Sequence, residues 1–228
     1  LDATGVLFFN AAASADASLL LRNGAVVNLG ADNAVVAADF DRLFLSQDSD
    51  GVSSTLNMGA FALTTSRLIL GERSSNRTGD INGTGLLTVT GGDIDLYRGT
   101  IRARLASNGT GAFEKIGPGL VTLAGDNRGL ASTGVTAVYE GTLRLDFGAD
   151  NNDKIRAASS LNMQGGVLEL LGNATAATTQ TVTGFAPSVG HNVLTLSPGA
   201  GQTLTLAFGA LTRTAAQGTC LLYTSPSP

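Results

Sequence analysis

Residues 113–147 read FEKIGPGLVTLAGDNRGLASTGVTAVYEGTLRLDF, and two aliphatic segments within them decide the fold. Gly119-Leu120-Val121-Thr122-Leu123 and Gly141-Thr142-Leu143-Arg144-Leu145 each set apolar residues two apart behind a glycine. That spacing is the period of a β-strand burying one face, and the glycine supplies the turn that starts it. The same ending returns at Leu168-Glu169-Leu170, Leu194-Thr195-Leu196 and Leu204-Thr205-Leu206, and Leu161-Asn162-Met163 echoes the earlier Leu56-Asn57-Met58. Counting from last leucine to last leucine, Leu123 to Leu145 is 22 residues, Leu145 to Leu170 is 25 and Leu170 to Leu196 is 26. A period in the twenties marks a solenoid whose turns stack on one another.

A single turn of this kind cannot bury its leucines, because its strands have no neighbours in their own plane. Stacking lets each strand pair in parallel with its equivalent one turn away, and the inward side chains then pile into aliphatic columns. The expected fold is all-β, a right-handed parallel β-helix, with a β-sandwich as the alternative. Composition agrees. Of 228 residues, 43% are hydrophobic, 30 are glycine, aromatics are 5% and charged residues 14%. Ordinary domains carry about 25% charged residues, so Thr, Ser, Asn and Gly must cover this surface, a mixture suited to strands and turns. The helical propensity of residues 11–18 is short and lacks a second apolar stripe, so a strand and loop path is expected there.

Composition also limits function. The net charge is −4 and no basic run exists, which argues against a nucleic-acid partner. No apolar stretch approaches the roughly 20 residues of a membrane-spanning helix. His191, the one histidine, stands in Ser188-Val189-Gly190-His191-Asn192, a turn without a nucleophile motif, and zinc or other nitrogen and sulfur metal sites are not expected. Gln47-Asp48-Ser49-Asp50-Gly51 is too short for an EF-hand and lacks its later Glu, so a solvated turn is expected rather than a metal loop. The glycine clusters precede no helix and cradle no phosphate. No cofactor is expected.

One charged group is dense enough for catalysis. On period two, Ile94 and Leu96 oppose Asp93, Asp95 and Tyr97, while Ile101, Ala103 and Leu105 oppose Arg102 and Arg104. If the two strands were adjacent, Asp93, Asp95, Arg98, Arg102 and Arg104 would lie near one another. A carbohydrate-active β-helix enzyme, of polysaccharide lyase or glycosidase type, would use such paired groups as acid and base. The preferred reading is a solvated strand face with weak ion pairs and no catalytic residue.

Residues 113–127 followed by 134–145 resemble the autotransporter-associated β-strand repeat: a Lys, a Gly-x-Gly, a strand ending in Leu-x-Gly-x-Asn, and a closing Gly-x-Leu-x-Leu. Residues 126–134 are longer than the family pattern and lack its usual aromatic. Residues 151–214 resemble the sequence that commonly follows. The resemblance implies a β-helical passenger segment, extracellular or on a bacterial outer surface, acting as a stalk or adhesin-type scaffold. Its partners would be a host or environmental surface, polysaccharide or protein, with an outer-membrane β-barrel translocator elsewhere in a longer protein. Residues 1–219 are expected to form the β-helical region, an internal fragment. Residues 220–228, CLLYTSPSP, hold the one Cys and two of the five Pro and resemble translated sequencing-adapter or transposon-end read-through, so they are expected to be a non-native tail.

Overall fold

A computed structural model describes residues 5–6, 18–30, 40–46, 52–74, 76–130, 135–213 and 218–224. The alanine-rich stretch up to residue 17 and the acidic loop 47–51 lie outside them. The chain runs β1 (Gly5–Val6), β2 (Ser18–Leu21), β3 (Val26–Asn28), β4 (Phe40–Leu45), β5 (Ser54–Asn57) and β6 (Leu63–Leu70). Narrower turns follow with β7 (Gly79–Asn82), β8 (Leu86–Val89), β9 (Ile94–Leu96), β10 (Gly99–Ile101), β11 (Arg104–Ser107) and β12 (Phe113–Lys115). Next come β13 (Leu120–Leu123), β14 (Gly129–Leu130), β15 (Thr136–Val138), β16 (Thr142–Asp146) and β17 (Ser160–Met163). The series closes with β18 (Val167–Leu171), β19 (Thr178–Pro187), β20 (Gly190–Ser197), β21 (Leu204–Leu211) and β22 (Gly218–Thr224). Every pairing among them is parallel. No helix occurs among the described residues. The fold is a β-solenoid, and the antiparallel neighbours of a β-sandwich are not found among the described residues.

From β7 to β15 each turn has three strands, one per side. The first face stacks ten strands in the order β1-β3-β5-β7-β10-β13-β16-β18-β20-β22. The other two faces join into one sheet because β6 bends around the corner between them. Leu63, Thr64 and Thr65 pair with β8, whereas Leu68, Ile69 and Leu70 pair with β9. A typical turn thus places β10 on the first face, β11 on the second and β12 on the third.

The register fulfils the leucine spacing. Leu123 pairs with Leu145, Leu145 with Leu170 and Leu170 with Leu196. Below them the column continues through Ile101, Ile81, Leu56 and Val27. From Val27 to Leu170 every member is at most 3% exposed. On the third face Leu21, Leu45, Leu70, Leu96, Lys115, Val138 and Met163 form the matching column. Burying each aliphatic side chain contributes about 1.5–3 kcal/mol, and the columns supply that term once per turn.

Two glycines show how tightly turns approach. A Cβ on Gly79 would lie 2.6 Å from Leu45 Cβ, so only hydrogen fits where the two columns converge. Gly141 combines φ of +67° with a site where a Cβ would meet the Gly117 and Gly119 carbonyl oxygens at 2.5 Å. It is the glycine that opens β16. At the far end, β22 includes Cys220 through Thr224 and pairs with β20 through main-chain bonds, with Leu221, Leu222 and Tyr223 49–63% exposed. An unpaired strand edge accepts an extended segment with little regard to its side chains.

Alternation along β13 gives a direct test. Leu123→Ala, at a fully buried position, should lower unfolding free energy by about 2–5 kcal/mol. Leu120→Ala, at a position 38% exposed, should stay within about 0.5 kcal/mol of the parent. Urea titrations of both variants check this, and equal losses would contradict the inward and outward assignment.

Candidate functional site

The solenoid separates the five charged residues singled out above. Asp95 points outward from β9 yet is only 5% exposed, because Arg67 from the preceding turn lies over it. Arg67 donates from Nε to Asp95 Oδ2 at 3.2 Å and also from Nη2. Asp93 accepts from the Ala112 N–H at 2.8 Å and sits 3.9 Å from the same Arg67. Arg98 occupies the corner after β9, its Nε buried without a hydrogen-bond partner. Arg102 lies beyond β10 and donates to Asn82 Oδ1 at 2.9 Å. It caps a ladder in which Asn82 donates to Asn57 at 3.2 Å and Asn57 to Asn28 at 2.8 Å. Arg104, on the second face, helps hold the Asp126 carboxyl below the usual range, behind the main cause, the hydrogen bond from Arg128. Among the described residues, Asp93 and Asp95 pair with Arg67 and with none of Arg98, Arg102 and Arg104.

The neighbour that Asp95 does have is Glu114, directly beside it on β12. Burial pushes the Glu114 carboxyl up, opposed by a hydrogen bond from the Tyr139 hydroxyl at 3.2 Å. Burial also raises Tyr97 and Tyr139. This outward patch joins Arg67 to Asp95 and Tyr139 to Glu114, the two carboxylates lying on paired residues of adjacent strands. The two cavities described lie elsewhere. One, of about 560 Å³, is lined by Phe185, Leu194, Phe208, Leu211 and Leu222, and the other, of about 260 Å³, by Arg128, Asp153 and Arg156. No cluster of three or more His, Cys, Asp or Glu suited to a metal ion occurs among the described residues.

The most unusual chemistry is inside. The chain contains two lysines, Lys115 and Lys154, and both are fully buried. Lysine is normally the most exposed of side chains. Lys115 takes an inward position of β12, and its ammonium donates to the carbonyls of Ile116 at 3.2 Å, Gly117, and Glu140 at 2.9 Å. Three donors meet three carbonyls at the corner where β12 passes to β13, joined by a carbonyl from the next turn. Burial brings its pKa down to about 8, against the opposing pull of Glu140. Lys154 donates to the carbonyls of Gly125 at 3.0 Å and Ala124 at 3.3 Å, lies 3.8 Å from Asp150, and stands 5.3 Å from the Phe147 ring centre. Burial lowers its pKa as well. Neutral amides serve other corners. Asn127 accepts from the Leu105 N–H at 3.0 Å and donates to the Lys154 carbonyl at 3.1 Å. Gln180 accepts from the Lys154 N–H at 2.9 Å and donates to the Ile155 carbonyl at 3.0 Å.

Two outcomes test the lysine cages. Lys115→Met removes the donor for three carbonyls and should cost about 1–3 kcal/mol near neutral pH. Folded Lys115 releases its proton near pH 8, whereas the unfolded chain keeps it until about 10.5. Between those values the unfolded chain binds more protons, so Lys115 adds stability as pH rises. The gap between parent and Lys115→Met should therefore widen from pH 8 upward, and a gap independent of pH would remove the titrating role. Separately, amine-reactive labelling of the native chain should mark the α-amine and leave both lysines unmodified until turns open. Rapid labelling of either lysine would contradict its burial.

No family model and no solved structure matches the chain. It is similar to the adhesin BmaC autotransporter of Brucella suis biovar 1 (strain 1330), at 34% identity over an alignment of 156 positions covering 56% of this chain. The chain spans 4% of the length of that protein.

Proposed function

We propose that this chain is a structural and interaction segment of an exported bacterial passenger, a rod that extends a binding region from the cell or offers its own strand faces for adhesion. The continuous inner columns carry this reading, since Val27 through Leu196 run unbroken along the first face. Several outward charges pair from one turn to another. Arg144 donates to Glu169 at 2.9 Å on the next turn, and Arg67 closes on Asp95. The similarity to an autotransporter adhesin supports a place outside the cell, on the outer surface or released from it. The partner is then a host or environmental surface, polysaccharide or protein, and a β-barrel translocator belongs elsewhere in the longer protein. A fold of this type hosts many functions, so the columns support a rod and the similarity to an adhesin supports its placement.

Display tests it directly. Placed between a signal peptide and a β-barrel translocator in a Gram-negative host, the chain should be stained by antibody on intact cells and should raise adherence above that of the translocator alone. Retention inside the cell would sink the passenger reading. Incubated with acidic polysaccharides, the purified chain should release no unsaturated or reducing ends. Release abolished by Asp95→Asn would replace the scaffold with the carbohydrate-active enzyme.

A further inference from the structure

Residues 71–74, which follow β6, carry Arg73 toward later turns. Gly71 donates its N–H to the Leu45 carbonyl at 2.8 Å. Its φ is +75°, and a Cβ there would meet the Arg98 carbonyl oxygen at 2.3 Å. Arg73 then lies against Gly117 on a later turn, where a Cβ would touch Arg73 Cγ at 3.3 Å and Tyr97 Cδ1 at 3.2 Å. Farther still, Arg73 Nη2 donates to Glu140 Oε2 at 3.3 Å, across 67 residues of sequence. The same Glu140 gives its carbonyl to Lys115. The base of this arm is held from below. Ser74 donates to Glu72 at 3.0 Å, Glu72 faces Arg77 at 3.6 Å, and the Thr78 N–H donates to Ser53 Oγ at 3.0 Å. The Arg77 side chain is 8% exposed, whereas the tip pair is 67% exposed at Arg73 and 44% at Glu140.

We propose that residues 71–74 form a clasp, closed over the corner of Tyr97, Gly117 and Glu140, that opens as ionic strength rises. The tip is one solvent-exposed ion pair, and screening shortens its reach from about 10 Å at about 0.1 M salt to about 3 Å at about 1 M. The base, where Gly71 is buried with its N–H on the Leu45 carbonyl and the Arg77 side chain is only 8% exposed, stays in place under the same change. Opening uncovers the Tyr97 ring and the main chain at Gly117, whose carbonyl carries the Lys115 ammonium.

Limited proteolysis with a broad-specificity protease, its cut sites read by mass spectrometry, follows the clasp without touching the core. At low salt Glu140→Gln should be cut between residues 71 and 78 about two- to five-fold faster than the parent, the range set by exposed ion pairs. At high salt the two should be cut at the same rate, because screening has removed the ion pair from the parent. Exchanging the charges, Arg73→Glu with Glu140→Arg, should restore low-salt protection and so separate the pair from any effect of Glu140 on the Lys115 corner. Equal cutting of parent and Glu140→Gln at low salt, or failure of the exchange to protect, would overturn the proposal.

Discussion

Main-chain hydrogen bonding between successive turns is the constraint on which the rest depends. A strand such as β13 finds its partners in β10 and β16, 22 residues away on either side, and in no strand of its own turn. Turns therefore sit about 4.8 Å apart, and whatever side chain one turn points inward is stacked on its equivalents above and below. Leucine and isoleucine satisfy this best because they fill the column without a polar atom. Partners are offset by 20 residues between Asp80 and Thr100 and by 29 between Asn28 and Asn57, while the inner columns keep their alignment.

Corners carry the cost of this plan. Where the chain bends from one face to the next, carbonyls leave the ladder and must find other donors. Lys115 and Lys154 provide them from inside, and Asn127, Gln180 and Asn192 do so with amides. An ammonium in such a place is held by full hydrogen bonding and penalised by desolvation, and the pKa near 8 at Lys115 records the balance. The two lysines are thus structural parts of the bends.

The first-face columns were legible because one period governs both sequence and register: the 22, 25 and 26 residue intervals between leucines are the pairings themselves. The charged site was much less legible. Asp93 and Asp95 stand close in sequence to Arg102 and Arg104, but strands adjacent in sequence occupy different faces of a solenoid. Spatial neighbours come from one turn away, which is why Arg67 and Glu114 surround Asp95. Aligning Arg67-Leu68-Ile69-Leu70 with Asp93-Ile94-Asp95-Leu96 on the period brings that arginine into view. Lys115 was visible as part of a repeat signature, and its inward direction follows from Phe113 two residues earlier. Its burial was not legible, because charge on a strand ordinarily marks the wet side, and the receiving carbonyls belong to a corner whose path residue types alone do not describe.

The direction of the ladder bonds has a mechanical meaning. They run along the rod, so tension applied to the chain ends meets one edge turn at a time and peels it from its neighbour instead of shearing the whole face. A released turn of about 25 residues extends to at most about 83–90 Å at about 3.3–3.6 Å per residue, in exchange for about 4.8 Å of rod. A stack built this way lengthens in discrete steps under load.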